Sequence, residues 1–166
     1  ADDLIQFIQN AQGVTRFENL ATARILGVEL QLEAAFSDAL HLRSSVTFMD
    51  ARDTSDIAAR SGKHLPLRPT FATSHRLELR HADPALGPRG MLGAYLELDV
   101  VAGNHLDFAN LVAIPVRTLI GTGLFLRGDH FEVLLSVSNL LDDRVQDFAG
   151  YPLPGVTTML SLRMGR

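Results

Sequence analysis

The sequence contains no cysteine and no tryptophan, and Tyr95 and Tyr151 are its only tyrosines. Without cysteine the chain forms no disulfide, thiolate-bound zinc site or iron–sulfur cluster, and it has no cysteine nucleophile. Basic residues are also few, because 15 Lys and Arg stand against 19 Asp and Glu and are scattered along the chain. This balance gives no basic patch of the kind that binds a nucleic-acid backbone or an anionic membrane surface, so we expect no nucleic-acid partner.

Long hydrophobic runs are missing as well. A membrane-spanning helix needs about 18 consecutive apolar residues, whereas charges interrupt every apolar stretch, as Glu97 and Asp99 do within 91–102. The sequence therefore excludes a helical membrane protein. It begins Ala1-Asp2-Asp3 with no initiator Met and no basic-then-apolar leader, so we expect a mature product or a fragment of a longer chain.

What the sequence does contain is alternation with a period of two. From Leu26 to Phe36 every second position is apolar, and Gly, Glu, Gln or Ala occupies the positions between. On a helix these side chains would leave no apolar face, whereas a strand separates them into one apolar and one polar face. Similar runs predict about eight strands, at 3–9, 23–36, 40–52, 70–82, 90–103, 116–127, 130–138 and 156–165.

The connections between these strands alternate in length. Short turn signals at 37–39, 83–89 and 128–129 separate longer polar segments at 50–69, 103–115 and 139–155. Strands joined in this way form an antiparallel up-and-down sheet with all long loops on one rim, as in an outer-membrane barrel. We predict an all-β fold, an antiparallel up-and-down transmembrane β-barrel segment. Its charged face would line a watery lumen and comprises Glu29, Glu33, Arg43, Arg76, Glu78, Arg80, Glu97, Asp99, Glu132 and Arg163.

Two other architectures fit the same alternation. A soluble lipocalin-like barrel or sandwich also alternates, but it turns its apolar face inward around a ligand. The runs favour the membrane because they approach the roughly 9–11 residues of a tilted membrane strand, whereas soluble strands typically have about 5–6. A stand-alone eight-stranded membrane barrel is the third reading, and pairing of the first strand with the last would favour it.

The candidate sites in the sequence are weak. Gly121-Thr122-Gly123 lacks the third glycine of a dinucleotide fingerprint, so close strand approach is the better interpretation. Asp142 and Asp143 could bind calcium, but a turn after the preceding asparagine explains them more simply. His105 and Asp107 could share a cation, although no third ligand lies nearby in sequence. The sequence predicts no enzyme, no catalytic residue, no cofactor and no metal site, and it leaves the substrate-binding residues undefined.

Segments in a fixed order resemble one known family. Residues 19–33, NLATARILGVELQLE, resemble the N-x-G-x-A-R-x-x-G-x-E strand of TonB-dependent outer-membrane receptors, with Ala21 in place of the usual glycine. Residues 61–69 and 75–79 are similar to the G-x-x-L-P-x-R-P and H-R-x-x-L segments of that family. Residues 137–144 resemble V-x-N-L-x-D, and residues 150–155 resemble the G-x-P-x-P-G-R that opens the closing strand, although Val156 replaces its arginine.

The resemblance implies that residues 1–166 form the C-terminal portion of a receptor barrel, about eight strands of a larger barrel of roughly 22, with the plug domain absent. It implies an outer-membrane active transporter that takes up a scarce nutrient such as a siderophore, cobalamin or another metal chelate. The implied partners are outer-membrane lipid, the small-molecule nutrient and the TonB energy-transducing complex, reached through the missing plug. The terminal Met164-Gly165-Arg166 departs from the aromatic residue on which such barrels usually end.

Overall fold

The computed structural model describes the backbone of residues 2–9, 15–148 and 151–165 and the side chains of 22–146 and 151–165. Gly150 and Arg166, which belong to the last sequence motif and to the terminus, lie outside the described residues. The strands are β1 (Asp2–Gln9), β2 (Thr15–Ala35), β3 (Leu40–Asp53), β4 (Phe71–Ala82), β5 (Met91–Ala102), β6 (Asn104–His105), β7 (Ala113–Ile114), β8 (Arg117–Arg127), β9 (Phe131–Ser138), β10 (Gln146–Phe148), β11 (Tyr151–Pro152) and β12 (Thr157–Met164).

One eight-stranded antiparallel sheet dominates the fold, in the order β1-β2-β3-β4-β5-β8-β9-β12. Its long strands follow one another up and down, so the predicted all-β, antiparallel architecture is confirmed. The structure differs from the prediction in two places. β2 begins at Thr15 rather than at residue 23, because its first part pairs with β1. Two short hairpins, β6–β7 and β10–β11, form inside segments that were predicted to be loops.

Helical structure in the described residues is limited to one 3₁₀ turn, Pro84–Leu86, in the connection between β4 and β5. Asp83 caps this turn by accepting a hydrogen bond from the Ala85 N–H at 3.0 Å. No helix in the described part of the chain is long and apolar enough to cross a bilayer.

The register of the strands sorts the side chains into two faces. In the β2–β3 pair Leu30 lies opposite Val46, whereas Glu33 lies opposite Arg43. Across the whole sheet, this register places apolar side chains mainly on one face and polar side chains mainly on the other. The apolar face includes Leu26, Val28, Leu30, Leu32, Leu42, Val46, Phe48, Leu77, Leu79, Leu96, Leu98, Leu124, Leu135, Leu160 and Leu162. The polar face includes Glu29, Gln31, Glu33, Arg43, Ser45, Thr47, Ser74, Arg76, Glu78, Arg80, Tyr95, Glu97, Asp99, Glu132 and Arg163.

The apolar face is not packed against anything in the described residues. Leu30 is 60% exposed and Leu160 is 62% exposed, although both lie within long, regular strands. The polar face is the concave one, since depressions of about 290–370 Å³ are lined mainly by its residues. An exposed apolar face of this extent marks an interface with another apolar phase or partner rather than with water.

The buried core is small and lies at one end of the sheet. Ala23, Ala51 and Leu65 form it, and Met49 and Phe108 pack against it. The lipocalin-like alternative required the apolar face to pack together in a dry interior around a ligand. The structure contradicts that alternative, because those side chains point away from the concave side and stay exposed.

The two edges of the sheet are β1 and β12, and among the described residues these strands do not pair with each other. Pairing between them was the feature expected of a stand-alone eight-stranded barrel, so the structure does not favour that reading. The sheet instead has the form of an open, curved wall.

The connections fall on two rims, as predicted. The segments 54–70, 103–116, 139–148 and 151–156 lie on one, which we call the long-loop rim, and the turns at 36–39, 83–90 and 128–130 lie on the other. Phenylalanines mark both borders of the apolar face. Phe48 and Phe71 form a tilted pair with ring centroids 5.2 Å apart near the long-loop rim, whereas Phe36 and Phe131 stand at the short turns. Aromatic rings thus lie at both borders of the apolar face, the arrangement typical of outer-membrane barrels.

Candidate functional site

The centre of the polar face is a network of ion pairs around Arg76. Arg76 Nε donates to Glu78 Oε2 at 3.0 Å, and its Nη1 donates to Glu97 across the β4–β5 pair. Arg80 Nε donates to the other oxygen of Glu78 at 2.6 Å. Arg43 lies directly opposite Arg76 in the register, but it turns to Glu33 on the other side, at 3.1 Å. The carboxylates thus separate like charges that would otherwise repel each other across the strands.

An aromatic platform supports this network. The Arg76 guanidinium lies over the Tyr95 ring, with Cζ 3.7 Å from the ring centroid, in a cation–π arrangement. Tyr95 in turn lies flat on Gly123, where a Cβ atom would come within 2.5 Å of the ring. Gly93 is covered by Phe125 in the same manner. Gly123 therefore allows the close approach of an aromatic ring, whereas a Cβ at Gly121 would meet only the Val137 carbonyl and the Glu97 side chain at 3.4 Å or more.

A second set of ion pairs continues the polar face towards the β12 edge. Arg127 Nη2 donates to Glu132 Oε1 at 2.8 Å, and Arg163 Nη1 lies 3.7 Å from the other oxygen of Glu132. Exposed ion pairs contribute only about 0–1 kcal/mol each to stability. The mixed charges of the polar face are accordingly better suited to holding water and contacting a polar surface than to stabilising the sheet.

The segments 54–70 and 103–116 pack together above the sheet. The backbone N–H of His64 donates to Asn110 Oδ1 at 2.7 Å, and Asn110 Nδ2 donates back to the His64 carbonyl at 2.9 Å. The Leu67 N–H also donates to the His105 carbonyl at 2.9 Å. The imidazoles of His64 and His105 are stacked, with centroids 5.9 Å apart and planes 5° from parallel. These contacts make the two segments one ordered unit.

The side chains of His105 and Asp107, which could share a cation by spacing, are turned to different partners. The Asp107 carboxylate accepts three backbone N–H groups of its own loop, from Ala109, Leu111 and Val112. Burial raises the pKa of Asp107, but these donors outweigh burial and hold the pKa below its usual range. His105 faces the other way, onto the His64 ring. Among the described residues no group of three His, Asp or Glu side chains is placed to hold a metal ion.

Asp142 and Asp143 serve the local loop structure. Asn139 has positive φ, and its side chain both donates to the Asp143 carbonyl and accepts from the Asp143 N–H, at 2.8 and 2.9 Å. Asp143 accepts the N–H groups of Thr118 and Val145, each at 3.1 Å. Asp142 Oδ1 accepts the Val156 N–H at 3.3 Å, so both carboxylates bind the backbone of this loop.

Sequence reasoning missed a hydrogen-bonded polar group on the apolar face. His75 Nδ1 lies 2.8 Å from Ser44 Oγ, and His75 Nε2 lies 2.8 Å from Thr73 Oγ1. The Thr73 hydroxyl donates its hydrogen to the Ser45 carbonyl, so it must accept from Nε2–H. Neutral His75 then carries its proton on Nε2 and accepts from Ser44 at Nδ1. Only the β3–β4 register brings these side chains together, and no sequence spacing reveals it.

The other missed cluster lies at the border of the apolar face nearest the long-loop rim. Asp50 contacts Arg24 Nη2 at 3.3 Å and Arg52 Nε at 2.6 Å. Arg52 also donates to the Gly62 carbonyl, at 2.9 Å. The three side chains continue the outward positions of β2 and β3 beyond Leu26 and Phe48. Arg24 is 26 residues from Asp50 in sequence, so only the β2–β3 pairing brings it to the Asp50–Arg52 pair.

No family model matches the chain, and no curated protein matches it. Solved structures do. The chain is similar to BauA, the ferric preacinetobactin receptor from Acinetobacter baumannii, with a TM-score of 0.70 and 15% identity over 96% of this chain and 25% of that chain. It is similar to PiuA, a siderophore receptor from Acinetobacter baumannii, with a TM-score of 0.65 and 18% identity over 86% of this chain and 22% of that one.

A third match is FyuA, the ferric yersiniabactin uptake receptor from Yersinia pestis, with a TM-score of 0.65 and 16% identity over 84% of this chain and 22% of that chain. The chain thus spans about a quarter of the length of the receptors it matches. Identities this low establish the fold alone, and that fold agrees with the family that the sequence motifs resemble. The chain has the fold of a segment of a TonB-dependent receptor barrel.

Proposed function

We propose that the chain is the C-terminal part of the barrel wall of an outer-membrane active transporter, which takes up a scarce nutrient with energy delivered through TonB. A ferric siderophore is the substrate class we favour, because one matched structure is named as a siderophore receptor and the other two as receptors for ferric yersiniabactin and ferric preacinetobactin. Cobalamin and other metal chelates are the remaining candidate substrates.

The observation that carries the proposal is the division of the sheet into an exposed apolar face and a concave, ion-paired polar face. From Leu26 to Phe36, the residue that follows β2, the apolar face extends about 33 Å, at roughly 3.3 Å per residue. At a tilt of about 45° this covers roughly 23 Å of depth, close to the apolar band of about 25 Å on outer-membrane barrels. The dimensions therefore support a wall that separates hydrocarbon from a watery lumen.

The two faces suggest a division of roles within such a receptor. The ion pairs around Arg76 and Glu132 would face the plug, because mixed charges held by cross-strand partners can exchange hydrogen bonds with another polar surface at little cost. The ordered unit of segments 54–70 and 103–116, together with 139–156, would face the outside and meet the nutrient. Membrane lipid would cover the apolar face.

The test uses cells that carry the intact gene, a deletion of it, or a deletion of tonB. Membrane fractionation should place the protein in the outer membrane, and a cytoplasmic location would contradict the proposal. Uptake of ⁵⁵Fe bound to catecholate, hydroxamate or mixed-ligand siderophores should fall in both deletions. Uptake that continues unchanged without TonB would exclude the energy source, and uptake of cobalamin but no siderophore would exclude the favoured substrate.

A further inference from the structure

Arg24, Asp50 and Arg52 form an outward-facing charged cluster, and its position is unusual. In the β2–β3 register Leu26 lies opposite Asp50, and Arg24 lies opposite Arg52. The next outward residue down β3 is Phe48, at the border of the apolar face. The cluster therefore sits one step beyond the apolar face, at the level where a bilayer changes from hydrocarbon to headgroups.

The opposite border of the same face has a different chemistry. There the outward strand positions in the described residues hold Leu40, Leu79, His81, Leu126 and Phe131, and none of them is an arginine or a lysine. Outward-facing guanidinium groups thus occur at the long-loop border and not at the short-turn border. A wall that met the same headgroups on both sides would have no reason for this asymmetry.

Hydrogen bonds hold the cluster in shape. Arg52 is fixed by Asp50, by the Gly62 carbonyl and by a 3.4 Å contact of its Nη2 with His64 Nε2. Arg24 contacts Asp50 through Nη2, and its side chain is 57% exposed. Asp50 offsets one of the two positive charges and keeps the guanidinium groups together, which leaves a net charge of about +1.

We propose that this cluster binds the phosphate group of an anionic lipid headgroup in the leaflet on the long-loop side. The guanidinium group of Arg24 offers planar donors that match phosphate oxygens. The long aliphatic stem of an interfacial arginine lets its charged end reach the headgroup level. The phenylalanine pair below would pack against the acyl chains of the same lipid. The proposal rests on the membrane location proposed above.

The test compares an outward-facing arginine of β2 with an arginine of β3 on the polar face. The protein expressed from its intact gene is purified in mild detergent and titrated with dioctanoyl phosphatidylglycerol, and bound lipid is counted by native mass spectrometry. A basic residue near a membrane surface contributes about fivefold in affinity for anionic lipid. Arg24→Gln should therefore weaken binding roughly fivefold, and Arg24→Gln with Arg52→Gln should weaken it further. Arg43→Gln is the matched control, since Arg43, like Arg24, is exposed and paired with one carboxylate but lies on the polar face.

Equal lipid binding in Arg24→Gln and in the unaltered protein would overturn the proposal, as would an equal loss in Arg43→Gln. Displacement of the lipid by inorganic phosphate at the same concentration would show a general anion site and would also overturn it. Arg24→Gln should leave the fold intact, because the Arg24 side chain is exposed and the substitution removes only its ion pair with Asp50. Absence of the protein from the outer membrane would instead refute the proposed function, so the two failures are distinguishable.

Discussion

An arginine placed at the middle of the apolar face should be far more harmful than one placed at the neighbouring position on the polar face. Leu30 is 60% exposed, lies opposite Val46 and stands near mid-depth between Leu26 and Phe36. If that exposure is to hydrocarbon, Leu30→Arg should destabilise the protein by about 2–4 kcal/mol, the cost of arginine at the bilayer midplane of a barrel. If it is to water, the cost should stay within about 0.5 kcal/mol, as for most surface substitutions.

Gln31→Arg is the control, because it introduces the same side chain and the same change of charge one residue away, on the polar face. Gln31 Nε2 already donates to Glu29 Oε1 at 2.7 Å, so an arginine there keeps a carboxylate partner. Leu26→Arg tests depth, since near the interface the cost should fall to about 0–1 kcal/mol. The assay is urea-dependent unfolding of the intact protein in phospholipid vesicles, followed by the electrophoretic mobility of the folded form. Equal midpoints for Leu30→Arg and Gln31→Arg would refute the assignment of the two faces.

Gly123→Val should cost about 1–3 kcal/mol by forcing the overlying tyrosine ring away, whereas Gly121→Ala, whose Cβ has no neighbour nearer than 3.4 Å, should be close to neutral in the same unfolding assay. Ser44→Ala should cost about 1–3 kcal/mol by leaving a histidine nitrogen unpaired on the apolar face, and adding His75→Leu should recover most of that loss. If the double variant is less stable than Ser44→Ala alone, the hydrogen bonds from Ser44 through His75 to Thr73 are wrongly assigned. Burial, and then the neighbouring Arg52 guanidinium, lower the pKa of His64 in the folded state. The packed loops therefore favour the neutral form of His64. The packing of segments 54–70 and 103–116 should be complete above pH of about 6.5 and weaken as the pH falls through the lowered pKa. Amide hydrogen exchange in these loops should speed up in acid, and His64→Gln should abolish the change; exchange that is independent of pH would contradict this.

The strands and the two faces could be predicted because they depend on nearest neighbours along the chain. Alternation between Leu26 and Phe36 fixes which side chains share a face, whatever strand lies alongside. The alternating short and long connections predicted the up-and-down order, because two strands joined by a short turn pair in antiparallel orientation. The charged residues predicted for the lumen, such as Arg76 and Glu97, do lie on the concave face.

The sequence was less informative wherever pairing between strands decides the outcome. β2 extends back to Thr15 because β1 supplies hydrogen-bonding partners there, and the sequence of that segment has no regular alternation to announce it. The small hairpins β6–β7 and β10–β11 likewise depend on contacts within loops. Only one residue separates His105 from Asp107, yet the loop turns the His105 side chain towards His64 and the Asp107 side chain towards its own backbone.

The sequence by itself determined that this chain forms amphipathic strands, with apolar side chains on one side and charged ones on the other, because a period of two is a property of each strand alone. Only the tertiary structure decided that the apolar side is convex and exposed and that the charged side is concave. It also decided which residues meet across strands, including Arg76 with Tyr95, Ser44 with His75, and Arg24 with Asp50. Those meetings depend on register, and register is set by cooperative pairing along whole strands, which no local pattern records.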